Sequence, residues 1–275
     1  MYKLIAFDFD GTLIDSGQEM DETILSTLKN WIEEGRKVII ASGRNYRSLK
    51  NIFGKYDLPI DVIANNGNTM RCILDDSIQI QKPIHKEILE KILPYIESLP
   101  YHATFHIDDF KNGVDMYLLE EPDEITKNYV QNYQNRYKII NKEEIFQKDV
   151  LSVVMYMNYE EYIRVKKELS FLTKGLETHH IAKGISHTGM MEVLGQNTNK
   201  WNTIYEYAQS YGISREEIIA VGDDRNDMKM IQNAGVGIAM CNSPEEVKKV
   251  ANYITYDVAK NYGAISFVKE IIERE

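Results

Sequence analysis

The chain has 275 residues, 43% of them apolar and 27% charged, enough for one large globular domain or two moderate ones. A formal charge of −10, with no basic tract to offset it, disfavours nucleic acid or an anionic membrane as the main partner. No stretch reaches the length of a membrane span, and the N-terminus has no basic-then-apolar signal pattern. Cys72 and Cys241, far apart and without metal-ligand spacing, read as reduced thiols, so the expected location is the cytoplasm.

The apolar run Leu4-Ile5-Ala6-Phe7 predicts a strand over Leu4–Asp8, with Asp8-Phe9-Asp10-Gly11-Thr12 where it ends. Side chains at i and i+2 leave an extended chain on the same side, so Asp8 and Asp10 present two carboxylates together. Gly11 permits a sharp turn, and like charges this close call for a cation or a shared proton. Met20 to Glu34 has helical spacing at Ile24, Leu25, Leu28, Trp31 and Ile32, with Gly35 as the stop. Next come a strand over Lys37–Ala41 leading into Ser42-Gly43-Arg44, a helix near Tyr46–Tyr56, and a strand over Asp61–Ala64 ending in Asn65-Asn66-Gly67.

The pattern changes from about Pro83 to His187, where aromatics rise and glycine-punctuated strand ends vanish. Helices are expected over His85–Leu99 and Tyr159–Leu172. Strands are expected over Ala103–His106, Val114–Leu119 and Val150–Met157, with a further pair over Leu176–Ile181 and Met190–Leu194. An α+β insert is the economical account, because the flanking segments complete one another.

The first rhythm then resumes. Asn199-Lys200 opens the helical stretch Trp201 to Ala208, and Ile218–Val221 runs into Gly222-Asp223-Asp224-Arg225-Asn226-Asp227. Strands follow at Gly235–Met240 and Tyr253–Thr255. Ser214-Arg215-Glu216-Glu217 and Ser243-Pro244-Glu245-Glu246 both have capping-box spacing; the second, with proline at the first helical position, is expected to be the firmer helix start.

Apolar runs without strict alternation predict strands buried on both faces, hence a doubly wound, Rossmann-like parallel sheet. Ligands of such sheets bind beyond the carboxyl ends of the strands. Taken singly the signals are weak: Ser42-Gly43 can be a strand-to-helix turn, Lys200 a solvated lysine, Asp223 to Asp227 a surface turn. In this order, at successive strand ends, they converge on one site. A carboxylate attacking a phosphate dianion needs its charge neutralised, which suits Mg²⁺ held by one or two carboxylates. Asp223 can supply a carboxylate from a second strand, Asp227 a weaker one, directly or through water, and Lys200 a point cation. Ser42 offers a hydroxyl and nearby N–H groups to phosphate oxygens. Asp8 would be the nucleophile, forming an aspartyl-phosphate, with Asp10 as general acid and base. Arg44 stays open between contacting phosphate and pairing with an acidic neighbour.

The set Asp8-x-Asp10-Gly11-Thr12, Ser42-Gly43-Arg44, Lys200 and Gly222-Asp223-x-x-Asn226-Asp227 resembles the haloacid dehalogenase-like (HAD) phosphatase superfamily. Its order is most similar to the Cof-type branch, as are Asn65-Asn66-Gly67 and Gly237-Ile238-Ala239-Met240-x-Asn242-Ser243. The resemblance implies a core of residues 1–82 and 188–275, with an α/β (type C2) cap over 83–187. It also implies a nucleophilic Asp8 and an acid/base Asp10 whose backbone carbonyl binds metal. Ser42, Gly43, Arg44, Lys200 and Asn226 would bind phosphate, and Asp8, Asp10, Asp223 and Asp227 would serve Mg²⁺. One departure is Trp201, where the branch usually has glycine after the lysine.

The function implied is Mg²⁺-dependent hydrolysis of a small phosphomonoester (a sugar phosphate, phosphorylated cofactor or nucleotide) by a monomer or homodimer. The partner is a small phosphorylated metabolite. A phosphomutase is an alternative, though the middle segment offers only Arg136 and Arg164 for a second phosphate. A metal-binding regulatory module is another. A phosphonate hydrolase would need a cap lysine forming a Schiff base, and no lysine is marked out. Trp201 and Ala182–Thr188 are where specificity is expected. His179, His180 and His187 read as cap surface or packing, and His102 and His106 as structural.

Overall fold

Apolar side chains on both sides of β1 (Leu4–Asp8), all buried, place it inside a sheet covered on both faces. The computed structural model describes residues 1–15, 17–132, 134–181 and 189–274. The chain divides into Met1–Gln81 with Asn199–Glu275 as one unit and Lys82–Thr198 as the other.

The first unit begins with β1, α1 (Glu22–Glu33), β2 (Lys37–Ala41), α2 (Tyr46–Phe53) and β3 (Asp61–Ala64). Asp21 caps α1, its side chain accepting from the Ile24 N–H at 3.1 Å, and Asn45 caps α2 through the Ser48 N–H at 2.9 Å. A hairpin that the sequence patterning did not reveal follows, β4 (Thr69–Cys72) and β5 (Ile78–Gln81).

The second unit contains α3 (Lys86–Glu97), β6 (Thr104–Asp109), β7 (Val114–Leu118), α4 (Glu124–Asn132), β8 (Tyr137–Ile139) and α5 (Lys142–Ile145). It continues with β9 (Ser152–Tyr156), α6 (Tyr159–Leu172), β10 (Leu176–Ile181) and β11 (Met190–Gln196). Its sheet has the order β10-β11-β9-β6-β7-β8, antiparallel throughout except β7–β8. Residues of α3 and α6 such as Ile92, Leu93, Val165 and Leu169 bury one sheet face, with Phe105, Val153, Met155 and Val193. Strand β11 pairs with β9 and β10, so the division falls at Asn199 rather than at the expected 187/188.

The chain returns to the first unit through α7 (Lys200–Ser210), β12 (Ile218–Gly222), α8 (Met228–Asn233), β13 (Val236–Ala239), α9 (Glu245–Lys248), β14 (Tyr253–Ile254) and α10 (Gly263–Glu273). The sheet order is β14-β13-β12-β1-β2-β3-β4-β5, parallel from β14 to β3, with the β4–β5 hairpin antiparallel at the edge. Alternation along β1 sends Leu4 and Ala6 into a cluster with Ile204 and Ala208 of α7 and Met230 and Ile231 of α8. Phe7 lies in the opposite phase and stacks on Trp31 of α1, with ring centroids 6.0 Å apart. The doubly wound α/β core read from the sequence is the fold observed.

Of the two capping-box sites the second opens an α-helix, as expected, although the box itself closes only at the first. Ser214 and Glu217 make both reciprocal bonds, though they open only a 3₁₀ turn. At the second, the helix begins one residue later than the spacing implies. Pro244 is the N-cap, no side chain caps it, and the buried Ser243 hydroxyl has no hydrogen-bond partner among the described residues. The Ser243 N–H is instead drawn into a turn onto the Met240 carbonyl at 3.0 Å.

Candidate active site

The sheet register brings β12, β1 and β2 side by side, so Asp223, Asp8 and Ser42 all emerge from adjacent carboxyl ends. Asp8 is buried as the last residue of β1. Its Oδ1 accepts from Lys200 Nζ at 2.6 Å, and the same ammonium donates to Asp227 Oδ1 at 2.7 Å. Lys200 and Asp227 are 1% and 0% exposed, so neither is the solvated group that its sequence context alone would suggest. Burial opposes the ammonium charge, but the two carboxylates outweigh it and hold the Lys200 pKa above its ordinary value. Burial, then the charge of Asp227, pushes the Asp8 carboxyl well up, with Lys200 pulling against them.

Asp227 organises the loop around it. Its Oδ2 accepts from the N–H groups of Asp223 and Asp224, each at 3.1 Å, while Oδ1 takes Lys200. Both oxygens are therefore engaged. Asp223 receives the Thr12 hydroxyl at 3.2 Å, and burial together with Asp227 pushes its carboxyl up to about 6.

Carboxylate oxygens of Asp8, Asp223 and Asp227 lie within 4.8 Å of one another. Asp8 Oδ2 is buried and has no hydrogen-bond partner among the described residues. Gly11, at φ +91°, passes so close that a Cβ there would lie 2.4 Å from Asp223 Oδ2. Hard oxygens, an unsatisfied buried carboxylate oxygen and a raised carboxyl beside it fit a divalent cation such as Mg²⁺. The Asp10 carboxylate is not in this group. Arg44 takes it in a fork, Nε to Oδ2 and Nη2 to Oδ1, both at 2.7 Å. Of the two options open for Arg44, the structure shows the acidic neighbour.

Ser42 is buried after β2, with its hydroxyl accepting from the Arg44 N–H at 3.1 Å. Gly43 lies over the Asn66 side chain, and the Asn226 amide donates to Asn66 Oδ1 at 3.0 Å. Asn66 and Thr12 were read from the sequence only as parts of the motifs that carry the resemblance, with no role assigned to either; an Asn-Asn-Gly turn directly after a buried strand was the available signal for the first. Trp201 turns away into the core, 8% exposed and stacked on Tyr205 at 5.3 Å, so its bulk is absorbed by packing. In the second unit, His106 is buried and bonded to the Tyr129 hydroxyl at 2.7 Å, and burial pushes its pKa down to about 4. His180 packs against the rings of Tyr159 and Tyr162. His187 and the Ala182–Thr188 stretch lie outside the described residues. Among the described residues no helix is long and apolar enough to cross a membrane.

A family model described as haloacid dehalogenase-like hydrolase matches residues 5–267. The chain is 28% identical to the 5-amino-6-(5-phospho-D-ribitylamino)uracil phosphatase YitU of Bacillus subtilis over 97% of this chain and 96% of that one. It is 25% identical to YwtE, named for the same activity in the same organism, over 98% of each. Among solved structures, BT1666 from Bacteroides thetaiotaomicron, described among HAD phosphatases, superposes with a TM-score of 0.79 at 24% identity, covering 98% of this chain and 95% of that one. That last likeness shows a common fold.

Proposed function

The chain belongs to the haloacid dehalogenase-like hydrolase family, and from that premise we propose that it is a Mg²⁺-dependent phosphatase of small phosphomonoesters working through an aspartyl-phosphate on Asp8. The observation that carries this reading is the buried relay Asp8–Lys200–Asp227 beside Asp223, with one Asp8 oxygen unsatisfied. A structural ion pair does not require a third, half-buried acid and an orphaned carboxylate oxygen next to it.

In the proposed reaction an Asp8 oxygen attacks phosphorus, and the bond from phosphorus to the ester oxygen breaks. Asp10, in its protonated form, gives that oxygen a proton. The ionised Asp10 then takes a proton from water as the water oxygen attacks the phosphoaspartate. The bond from phosphorus to the Asp8 oxygen breaks, inorganic phosphate leaves, and both carboxyl groups return to their starting states. Lys200 balances charge at Asp8 throughout, while Ser42, the N–H of Gly43 and Asn226 would hold phosphate oxygens. Bound Mg²⁺ would supply the neutralisation that lets a carboxylate approach a phosphate dianion, held by Asp8, Asp223 and the Asp10 carbonyl, with Asp227 supporting. The engaged oxygens of Asp227 fit a supporting place better than a direct one.

The substrate is proposed to be a small phosphorylated metabolite. The names of the two Bacillus relatives put 5-amino-6-(5-phospho-D-ribitylamino)uracil first among compounds to try. Free thiols at Cys72 and Cys241 support a reducing compartment, and the cytoplasm is the proposed location. The test is phosphate release from a panel of phosphomonoesters, with Mg²⁺ or EDTA, for the wild type and Asp8→Asn. Metal-dependent release that the substitution abolishes is expected. No release by a folded, metal-binding wild type would favour a mutase or a regulatory module.

A further inference from the structure

The turn after β3 touches three segments of the candidate site, yet none of its residues belongs to the proposed chemistry. Asn65 and Asn66 both adopt left-handed backbone, at φ 49° and 55°. This conformation is uncommon outside glycine, and asparagine tolerates it best. It lets the Asn65 N–H donate to the Arg44 carbonyl at 2.8 Å and the Asn66 N–H to the Ser42 carbonyl at 3.1 Å. Gly67 then runs against the cap of α7: a Cβ there would lie 2.4 Å from the Asn199 carbonyl carbon. Its own carbonyl accepts from the Thr203 hydroxyl at 2.6 Å. The Asn66 side chain, 3% exposed, accepts from Asn226 Nδ2 at 3.0 Å and lies directly beneath Gly43. One turn thus fixes the Ser42–Arg44 loop, the start of the helix carrying Lys200, and the amide of Asn226.

We propose that Asn66 is a positioning residue for phosphate binding, one whose side chain orients the Asn226 carboxamide while its N–H holds the backbone of Ser42. The inference rests on the phosphatase reading for the role of Asn226. An amide Nδ2 carries two hydrogens. With one donated to Asn66 Oδ1, the rotamer is set and the second is presented in a fixed direction, without the entropy cost of ordering it on binding.

Asn66→Gly retains the left-handed backbone, which glycine adopts freely, and removes only the side chain. The readouts are KM, kcat, and the Kd for inorganic phosphate with Mg²⁺ by calorimetry. About a 10-fold rise in KM and in phosphate Kd is expected, equivalent to one hydrogen bond of about 1.4 kcal/mol, with melting temperature near wild type. The double variant Asn66→Gly/Asn226→Ala should bind phosphate no more weakly than Asn226→Ala alone.

Unchanged KM and Kd in Asn66→Gly, or losses that multiply in the double variant, would each overturn the inference. A wild type that binds phosphate but releases none from any ester would sink the phosphatase reading alone, and the Kd comparison would still decide Asn66. A wild type that binds no phosphate would sink both.

Discussion

Arg44 holds both oxygens of Asp10, through Nε and Nη2 at 2.7 Å each, and its third nitrogen reaches the Ser48 hydroxyl at 3.3 Å. The guanidinium also lies over the Phe9 ring, 5.6 Å from its centroid. Both side chains of the pair are about a third exposed, so solvent screens the charge and net stabilisation from the pair itself is small. Its value lies in direction: a planar fork fixes the plane of the carboxyl group that is proposed to move the proton.

Arg44→Lys should therefore keep the charge and lose the orientation. Positioned proton transfer contributes about 10²–10⁴-fold, so losing part of it should lower kcat about 10- to 100-fold for an alkyl phosphate. An aryl phosphate such as p-nitrophenyl phosphate, whose leaving oxygen scarcely needs a proton, should suffer much less. Steady-state kinetics on both esters check this. Equal losses on the two would assign Arg44 to phosphate binding instead.

Lys200→Met removes the cation that bridges Asp8 and Asp227 and leaves two buried carboxylates facing each other. Breaking a buried pair this way costs about 3–5 kcal/mol, against less than about 0.5 kcal/mol for a solvated lysine. The deficit should narrow on acidification, because Asp8, already pushed up by burial and Asp227, takes a proton sooner. Urea unfolding at about pH 7 and about pH 5 measures both effects.

The strands that carry the site were legible because each is a short apolar run buried on two faces and ended abruptly by polar residues. Leu4–Asp8 and Lys37–Ala41 were located to the residue. The β4–β5 hairpin escaped because its pattern is broken by charge. Arg71 is buried within it, over the Tyr46 ring at 4.8 Å and bonded to the Asp76 carbonyl at 2.8 Å, contacts that no local window reveals. Helix α5 was missed despite a readable signal, the Asn141–Glu144 capping box. At the site, residue types were legible and partners were not. Nothing local says that Asp227 spends both oxygens on Lys200 and two N–H groups, or that Arg44 faces Asp10 rather than open solvent. Those facts depend on loops from distant strands meeting.

Asp223 gives the metal reading a pH signature. Burial and Asp227 raise its pKa from 3.8 to about 6 in the folded chain. A carboxyl raised in this way binds more proton folded than unfolded, so without metal, stability falls as pH climbs from about 4 to about 6 and is level above that. A divalent cation binds the ionised carboxylate, so its stabilising effect should grow across the same window. Excess Mg²⁺ should raise the melting temperature at about pH 7.5 and scarcely at about pH 5. Equal increments at the two pH values would remove Asp223 from the ligand set.

Gly11→Ala separates the geometry of the site from ordinary turn strain. The residue sits at φ +91°, and a methyl group there would lie 2.4 Å from Asp223 Oδ2 and 2.9 Å from its Cγ. Gly35 provides the control, since at φ +89° it has nothing within 4 Å of the same methyl position. Strain alone costs about 1–2 kcal/mol in either place. At Gly11 the methyl must also displace Asp223 from the Thr12 hydroxyl and from Asp8. In EDTA both variants should lose stability, Gly11→Ala the more, and only Gly11→Ala should lose the Mg²⁺-dependent rise in melting temperature and the phosphate release that depends on it. If Gly11→Ala keeps the full Mg²⁺ increment, the ion is not held where Asp8 and Asp223 meet.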